Sequence, residues 1–422
     1  MTPILFLLVY ATGVILTIFR HPIFGLYTYL LTFYLSPSHS WWANEVPELR
    51  YQFIIAAVTL LVTINKGLNK NRTSWLTFRP TQFLLIFALW MWIQYFWAID
   101  PDLQLEGAII LTKHILIYYL IYMLADTHKK MLGVLLGYIL GCAWFGYLAL
   151  EASSGRLETI GGPVGGSNEL GLHVTGALLV GGIYFMFLRD RFRIIILLCL
   201  PLVVNTLVLT VSRGAFLGLI VGGSFCGCFI PKGFRVKFLQ LAVLGMILIS
   251  LLAHDALIER FTTTWIALTT EEVELDNSAS SRAVIFDAGM RIGQDYPLGV
   301  GYRGTAKLST QYMPEWVLSS DGHRSAHNTF AAVFAEHGYP GAAMYILIIL
   351  WVLLTLVRTS SFNQSTIRPM DHALLVALLS SLVALYVSGL FSNYLFTDSQ
   401  YWLLALTCAL LSRIGVKESE QS

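Results

Sequence analysis

An arginine stands between two apolar stretches at Thr210-Val-Ser212-Arg213-Gly214-Ala215. A guanidinium at membrane depth is expensive and by default marks a pathway or a site. The alternative is an interfacial arginine that snorkels to lipid phosphates, and position alone leaves both readings open. A histidine stands where a charged stretch meets an apolar one, at Ser325-Ala-His327-Asn328-Thr-Phe. His327 titrates near neutrality and can accept a proton from a hydroxyl, or it caps a helix. Six basic residues populate the stretch 254–339: Arg260, Arg282, Arg291, Arg303, Lys307 and Arg324. His337 lies further on, in Ala335-Glu-His337-Gly338-Tyr-Pro-Gly341. Its setting beside glycines at a helix turn favours a structural role, and it stands with Asn328 and Ser212 among the candidate substrate contacts.

Other motifs carry less. Asp100-Pro101-Asp102 has the form of the DxD metal site of some glycosyltransferases, but Asp before Pro at a first helical position is an ordinary N-cap. No metal site is expected, and no cofactor. Gly299-Val-Gly301-Tyr-Arg-Gly304 fits GxGxxG, yet the fingerprint needs a strand before it, a helix after it and a βαβ unit, and none is legible. A turn that brings backbone close to another helix is the better reading. The loop Gly161-Gly-Pro-Val-Gly-Gly-Ser167-Asn168-Glu169 either offers N–H groups to an anion, with Asn168 as a contact, or is a simple turn. Lys113 and His114 lie inside an apolar run and need partners there. The five cysteines, Cys142, Cys199, Cys226, Cys228 and Cys408, all sit in apolar runs and read as small membrane-helix residues.

These residues must be positioned by membrane helices. The chain has 422 residues, 56% apolar and 12% charged, against roughly 25% charged in soluble domains. Too little polar surface exists to coat a soluble protein this large. Spans of about 20 residues are expected near 3–19, 22–36, 50–65, 82–98, 107–125, 131–150, 170–188, 193–209, 214–230, 236–253, 340–357, 372–391 and 397–414. The first two are short, so twelve or thirteen spans are expected. The start of the chain has no basic region or Ala-x-Ala site and does not read as a cleavable signal. One alternating set of loops holds 17 of the 27 Lys+Arg and five of the 25 acids. The positive-inside rule puts that set in the cytoplasm. The segments 37–49, 99–106, 151–169, 210–213, 254–339 and 392–396 then face outside. The expected architecture is all-α: one integral membrane domain, 1–422, with 254–339 as a helical periplasmic insertion that carries part of the site. In it Ser280 and Ser281 can cap a helix bearing Val284, Ile285, Ala288 and Ile292 on one stripe. The net charge of +2 gives no hint of nucleic acid.

His327-Asn328, nine residues, then Gly338-Tyr-Pro-Gly341 resembles the signature of the O-antigen ligases. Ser212-Arg213-Gly214-Ala215 resembles the arginine turn of the wider O-antigen ligase and polymerase superfamily. The stretch from Arg282 through Pro297-Leu-Gly-Val-Gly301 is similar to the periplasmic segment before the signature. The first third resembles the O-glycosylation ligases associated with exosortase systems. The resemblance implies a metal-independent, inverting glycosyltransferase in the bacterial inner membrane. It implies a donor glycan on undecaprenyl diphosphate, moved en bloc at the periplasmic face to an acceptor hydroxyl such as a lipid A–core sugar, in lipopolysaccharide or related polysaccharide biosynthesis. Arg213 and Arg282 would hold the diphosphate and His327 would act as base. Arg291, Arg303, Arg324, Asn328, Ser212, Asn168 and His337 would contact substrate. A polymerase with a glycan acceptor, a protein O-oligosaccharyltransferase, and a transporter of polysaccharide or lipid-linked sugar are the rival readings. Transporters commonly show internal repeats and broken helices at mid-depth, and no repeat is legible.

Overall fold

The structure, a computed structural model, describes residues 2–66, 73–150, 157, 162, 164–187, 191–269, 277–320, 322–359 and 367–415. Among them are sixteen α-helices and no strand. Ten precede the long charged segment: α1 (Pro3–Phe19), α2 (Ile23–Leu35), α3 (Tyr51–Lys66), α4 (Arg79–Gln94), α5 (Pro101–Leu124), α6 (His128–Ala149), α7 (Ser167–Phe187), α8 (Arg191–Thr210), α9 (Arg213–Phe229) and α10 (Arg235–Leu252). Three lie within it: α11 (Asp255–Thr269), α12 (Asn277–Asp295) and α13 (Gly304–Tyr312). Three follow: α14 (Thr329–Thr359), α15 (Pro369–Ser388) and α16 (Asp398–Arg413). Each of the thirteen apolar segments forms a helix. Seven helices, α5, α6, α7, α8, α10, α14 and α15, are long and apolar enough to cross a membrane.

The buried pillar of the bundle is α15, whose side chains are buried on nearly every face. A helix that is apolar all round belongs inside, and α15 packs against α7, α9, α14 and α16. Its closest neighbour is α9. A Cβ at Gly218 would lie 2.6 Å from the Ala384 carbonyl oxygen, and one at Gly222 would lie 2.7 Å from that of Ser380. This Gly-x-x-x-Gly pair lets two backbones touch, which is how helices gain contact when the surroundings are themselves apolar. At the edge, α10 buries no side chain at all.

The charged segment folds as α11, α12 and α13, with small cores of its own. Ile285, Ala288, Met313 and Val317 form one, and Ile292, Val300, Leu308 and Ala335 another. The apolar stripe on α12 is as the sequence suggests, but the helix begins at Asn277, so Ser280 and Ser281 lie within it and not at its cap.

The following helix begins at Thr329, earlier than the expected span at 340, and is broken at Gly338 (φ 64°, ψ −167°). Only glycine populates that region readily. The break lets the turn Pro297–Gly301 pair with the opened backbone. Val300 N–H donates to Ala335 (3.1 Å), Gly301 N–H to Glu336 (2.8 Å), and Tyr339 N–H to Pro297 (3.0 Å). A Cβ on Gly338 would sit 2.3 Å from the Pro297 carbonyl oxygen. Gly338→Ala is therefore expected to cost about 1–3 kcal/mol, read as a lowered thermal midpoint of the purified protein. An unchanged midpoint would mean that the break is not needed. The GxGxxG stretch finds its purpose here, as a turn seated on a helix, as its sequence context indicates.

Candidate functional site

The Arg213 turn is held from three sides. Ser212 is the N-cap of α9, its hydroxyl accepting from Ala215 N–H at 3.4 Å. The same hydroxyl donates to Asn168 Oδ1 at 2.9 Å. Ser388 Oγ donates to the Gly214 carbonyl at 2.9 Å. The residue before the cap, Val211, has φ +50°. A β-branched residue in the left-handed region is a true outlier, worth roughly 1–3 kcal/mol of strain. Such strain persists only where the surroundings over-determine it, and here it sits one residue from the Ser212–Arg213 pair.

The His327 cap is held by the next residues in sequence. Asn328 Oδ1 accepts from Phe330 N–H (2.8 Å) and Ala331 N–H (3.0 Å), closing the first turn of α14. Its Nδ2 donates to the Leu390 carbonyl at 3.0 Å. Thr329 N–H donates to Gly389 (2.7 Å), and its hydroxyl donates to the Ser392 carbonyl (2.8 Å) while accepting from Tyr394 N–H (2.9 Å).

The Arg213 turn and the His327 cap therefore grip one piece of chain, the α15–α16 turn at 389–397. Tyr394 completes the link by donating its hydroxyl to the Asn168 carbonyl at 3.0 Å. Thr397 Oγ1 donates to Glu169 Oε1 at 3.2 Å. An unbroken run of hydrogen bonds connects Ser212 through Asn168, Tyr394 and Thr329 to the backbone beside His327. Sequence reading missed this turn. Its partners are mostly backbone carbonyls, which leave no residue signature; Ser392-Asn393-Tyr394 looks like any polar loop.

The electrostatics around His327 are cationic. Burial, then the Arg324 guanidinium, then that of Arg282, push its imidazole down to about 4. The imidazole is therefore neutral at pH 7. Arg324 is fixed by its N–H to Ser309 Oγ (3.1 Å) and by Nη1 to Ser319 Oγ (3.2 Å), and its Nε is buried without a hydrogen bond among the described residues.

The other expected contacts have partners of their own. Arg291 is nine residues from Arg282, two and a half turns, so it leaves the opposite side of α12. It pairs with Asp287 (3.0 Å) and donates to the Tyr312 carbonyl (3.0 Å), tying α12 to the end of α13. Arg303 sits in the left-handed region (φ 58°) at the start of α13, its guanidinium 5.1 Å above the Tyr302 ring. Tyr302 in turn packs on Phe396 of the shared turn, with ring centres 4.9 Å apart, which sets Arg303 beside that turn. His337 is fully buried. Its Nδ1 is 3.0 Å from Gln94 Oε1 and its ring meets Phe87 edge-on at 5.2 Å. It latches α14 to α4, as its setting beside glycines implies, and does not reach His327's neighbourhood.

Asp100 accepts from Leu103 N–H (3.1 Å) as the cap of α5, and Lys307 pairs with it at 3.1 Å. The Leu103 N–H first, and Lys307 second, hold its carboxyl below the usual range. His114 does have a partner: it lies 3.5 Å from Asp398 and stacks on Tyr401 at 4.5 Å. Lys113 is exposed on the flank of α5. Of the glycine loop before Asn168, residues 161 and 163 lie outside the described residues. Among the described residues no group of three or more His, Cys, Asp or Glu is placed to hold a metal.

No curated protein matches the chain. Residues 197–346 match the family model described as O-antigen ligase. The matched stretch runs from within α8 to beyond the break in α14 and contains Arg213, Arg282 and His327, whereas Asn168 and the 389–397 turn lie outside it. That match supports membership of the O-antigen ligase and polymerase superfamily.

Proposed function

We propose that the chain is a bacterial inner-membrane glycosyltransferase that moves a glycan en bloc from undecaprenyl diphosphate to an acceptor hydroxyl at the periplasmic face, with inversion. One observation carries this reading: a neutral, half-buried histidine faced by two guanidiniums, on a cap wired to the arginine turn of α9. In this reading the acceptor oxygen attacks the anomeric carbon. Its proton passes to His327 as the new C–O bond forms. The bond from that carbon to the diphosphate breaks, and the electron pair leaves on the diphosphate. Arg213 and Arg282 hold that growing charge, the role a divalent metal takes in DxD enzymes. Full activity in excess chelator is the expected result; loss that added divalent ion restores would return Asp100 and Asp102 to consideration.

The test of the function is direct. Purified protein is incubated with undecaprenyl-diphosphate glycan and either lipid A–core, a second donor molecule or a candidate protein. Glycan gained by lipid A–core supports the ligase reading, while gain by another acceptor replaces it with the polymerase or protein-modifying reading. No gain by any acceptor overturns transfer.

The cationic surroundings have a consequence for pH. A base held near 4 is weak, and a bound diphosphate would raise it by offsetting Arg282. The neutral form acts, so activity is lost as pH falls through the pKa. The acid limb of kcat/KM, which reports free enzyme, is expected near pH 4, and that of kcat at higher pH. Arg324→Gln removes one cation and should move the kcat/KM limb upward. Coincident limbs near 6.5 in both proteins would sink this account.

A further inference from the structure

The other end of the bundle holds a pocket that the transfer reading does not use. It opens between the end of α7, the start of α8 and α10, with a volume of about 430 Å³. Asn168 and Phe187 lie at opposite ends of α7. At 1.5 Å per residue they are about 30 Å apart, so this pocket is at the opposite membrane face from the Arg213 turn.

Its walls divide by chemistry. Arg193 and Lys237 supply two positive charges, and no acidic side chain is among the described lining residues. The Arg193 guanidinium lies 4.6 Å above the Phe185 ring, and Lys237 Nζ lies 5.8 Å from the Phe234 ring centre. Stacking of this kind holds a cation in place and leaves its N–H edge for an anion. Phe187 and Phe234 close on each other at 4.2 Å. Below the charges, Leu241 and Leu244 continue along α10, the helix with no buried side chain. A fixed pair of cations over an apolar lane on a membrane-exposed helix matches one kind of molecule, a phosphate ester that carries acyl chains.

We propose that this pocket binds the headgroup of an anionic phospholipid, its phosphate between Arg193 and Lys237 and its acyl chains along Leu241 and Leu244. The basic loops at this end add to the attraction, since basic groups near an anionic membrane surface are each worth about a fivefold gain in binding. The bound lipid also covers the face of α10 that α7 and α8 leave open.

The test is native mass spectrometry of the purified full chain, released from detergent containing phosphatidylglycerol or phosphatidylcholine. Wild type is expected to retain one phosphatidylglycerol and to discard phosphatidylcholine. Arg193→Gln/Lys237→Gln should lower that retention more than tenfold. Leu241→Trp keeps both charges but fills the lane, and should lower it as well. Equal retention of the two lipids by wild type, or undiminished phosphatidylglycerol in either variant that folds, would overturn the proposal. So would displacement of phosphatidylglycerol by millimolar inorganic phosphate, which would mark a simple ion site. No readout depends on glycan transfer, so failure of the transfer reading leaves this result intact.

Discussion

His327→Ala loses glycan transfer by about 10²–10⁴-fold while the protein still inserts and folds. The magnitude is that of a positioned general base. The expectation of intact folding rests on who holds the cap. Asn328 and Thr329 make the hydrogen bonds that close α14 and grip the 389–397 turn, and the His327 imidazole is not among them. The loss should therefore fall on the chemical step, with the thermal midpoint close to wild type. A variant that transfers at the wild-type rate would remove the base assignment. A variant that loses both activity and midpoint would make His327 a structural cap residue, the alternative its sequence position also allows.

Asn328→Ala separates the two neighbours from the other direction. Its amide is committed to two N–H donors and one carbonyl, so its loss is expected to cost about 1–2 kcal/mol as a helix cap and to lower the midpoint. Substrate contact alone would leave the midpoint unchanged.

The sequence made the helices legible because membrane spans are written in composition. Runs of apolar residues in a chain with so few charges favour helices: all thirteen segments are helical, and among the described residues seven helices are long and apolar enough to cross a membrane. Capping was less legible inside the charged segment. Ser280 and Ser281 look like caps, but α12 starts at Asn277: Asn277-Ser-Ala-Ser-Ser offers several cap-type residues in a row, and a helix can start at any of them. The break in α14 was half legible. Gly338 and Pro340 announce it, but only the structure explains it: the Pro297–Gly301 turn needs open carbonyls at Ala335 and Glu336 to bond to. Arg282 and Arg324 could be singled out as cations in a long loop, and so could Arg291 and Arg303. The resemblance set Arg282 apart as a diphosphate ligand and left Arg291, Arg303 and Arg324 together as substrate contacts. Only the structure shows Arg324 beside His327, Arg291 tied to Asp287 and Tyr312, and Arg303 stacked on Tyr302. The joining turn at 389–397 was invisible for a related reason. It acts through backbone groups, and every residue has those.

Arg213→Ala and Arg282→Ala each lower transfer by about 10²–10³-fold, the range for removing one preorganised charge stabiliser. The division of that loss between kcat and KM is the informative part. The diphosphate is already anionic when it binds, so an arginine that merely anchors it stabilises ground state and transition state alike and raises KM alone. As the anomeric bond breaks, additional charge develops on the bridging oxygen. An arginine placed for that oxygen lowers kcat when removed. Arg213 starts α9, in a turn held by Ser212, Asn168 and Ser388 and strained at Val211. That preorganisation is what stabilising a developing charge requires, so its alanine variant is expected to lose mainly kcat. Arg282 leaves a helix of the charged segment, whose packing rests on small cores; its alanine variant is expected to lose more in KM. Arg213→Lys keeps the charge but loses the planar fork, and should recover less than a tenth of the wild-type kcat. Wild-type kcat in Arg213→Lys would reduce the residue to a point charge, and wild-type kcat in Arg213→Ala would return it to the interfacial, lipid-facing arginine that its position between two apolar helices equally permits.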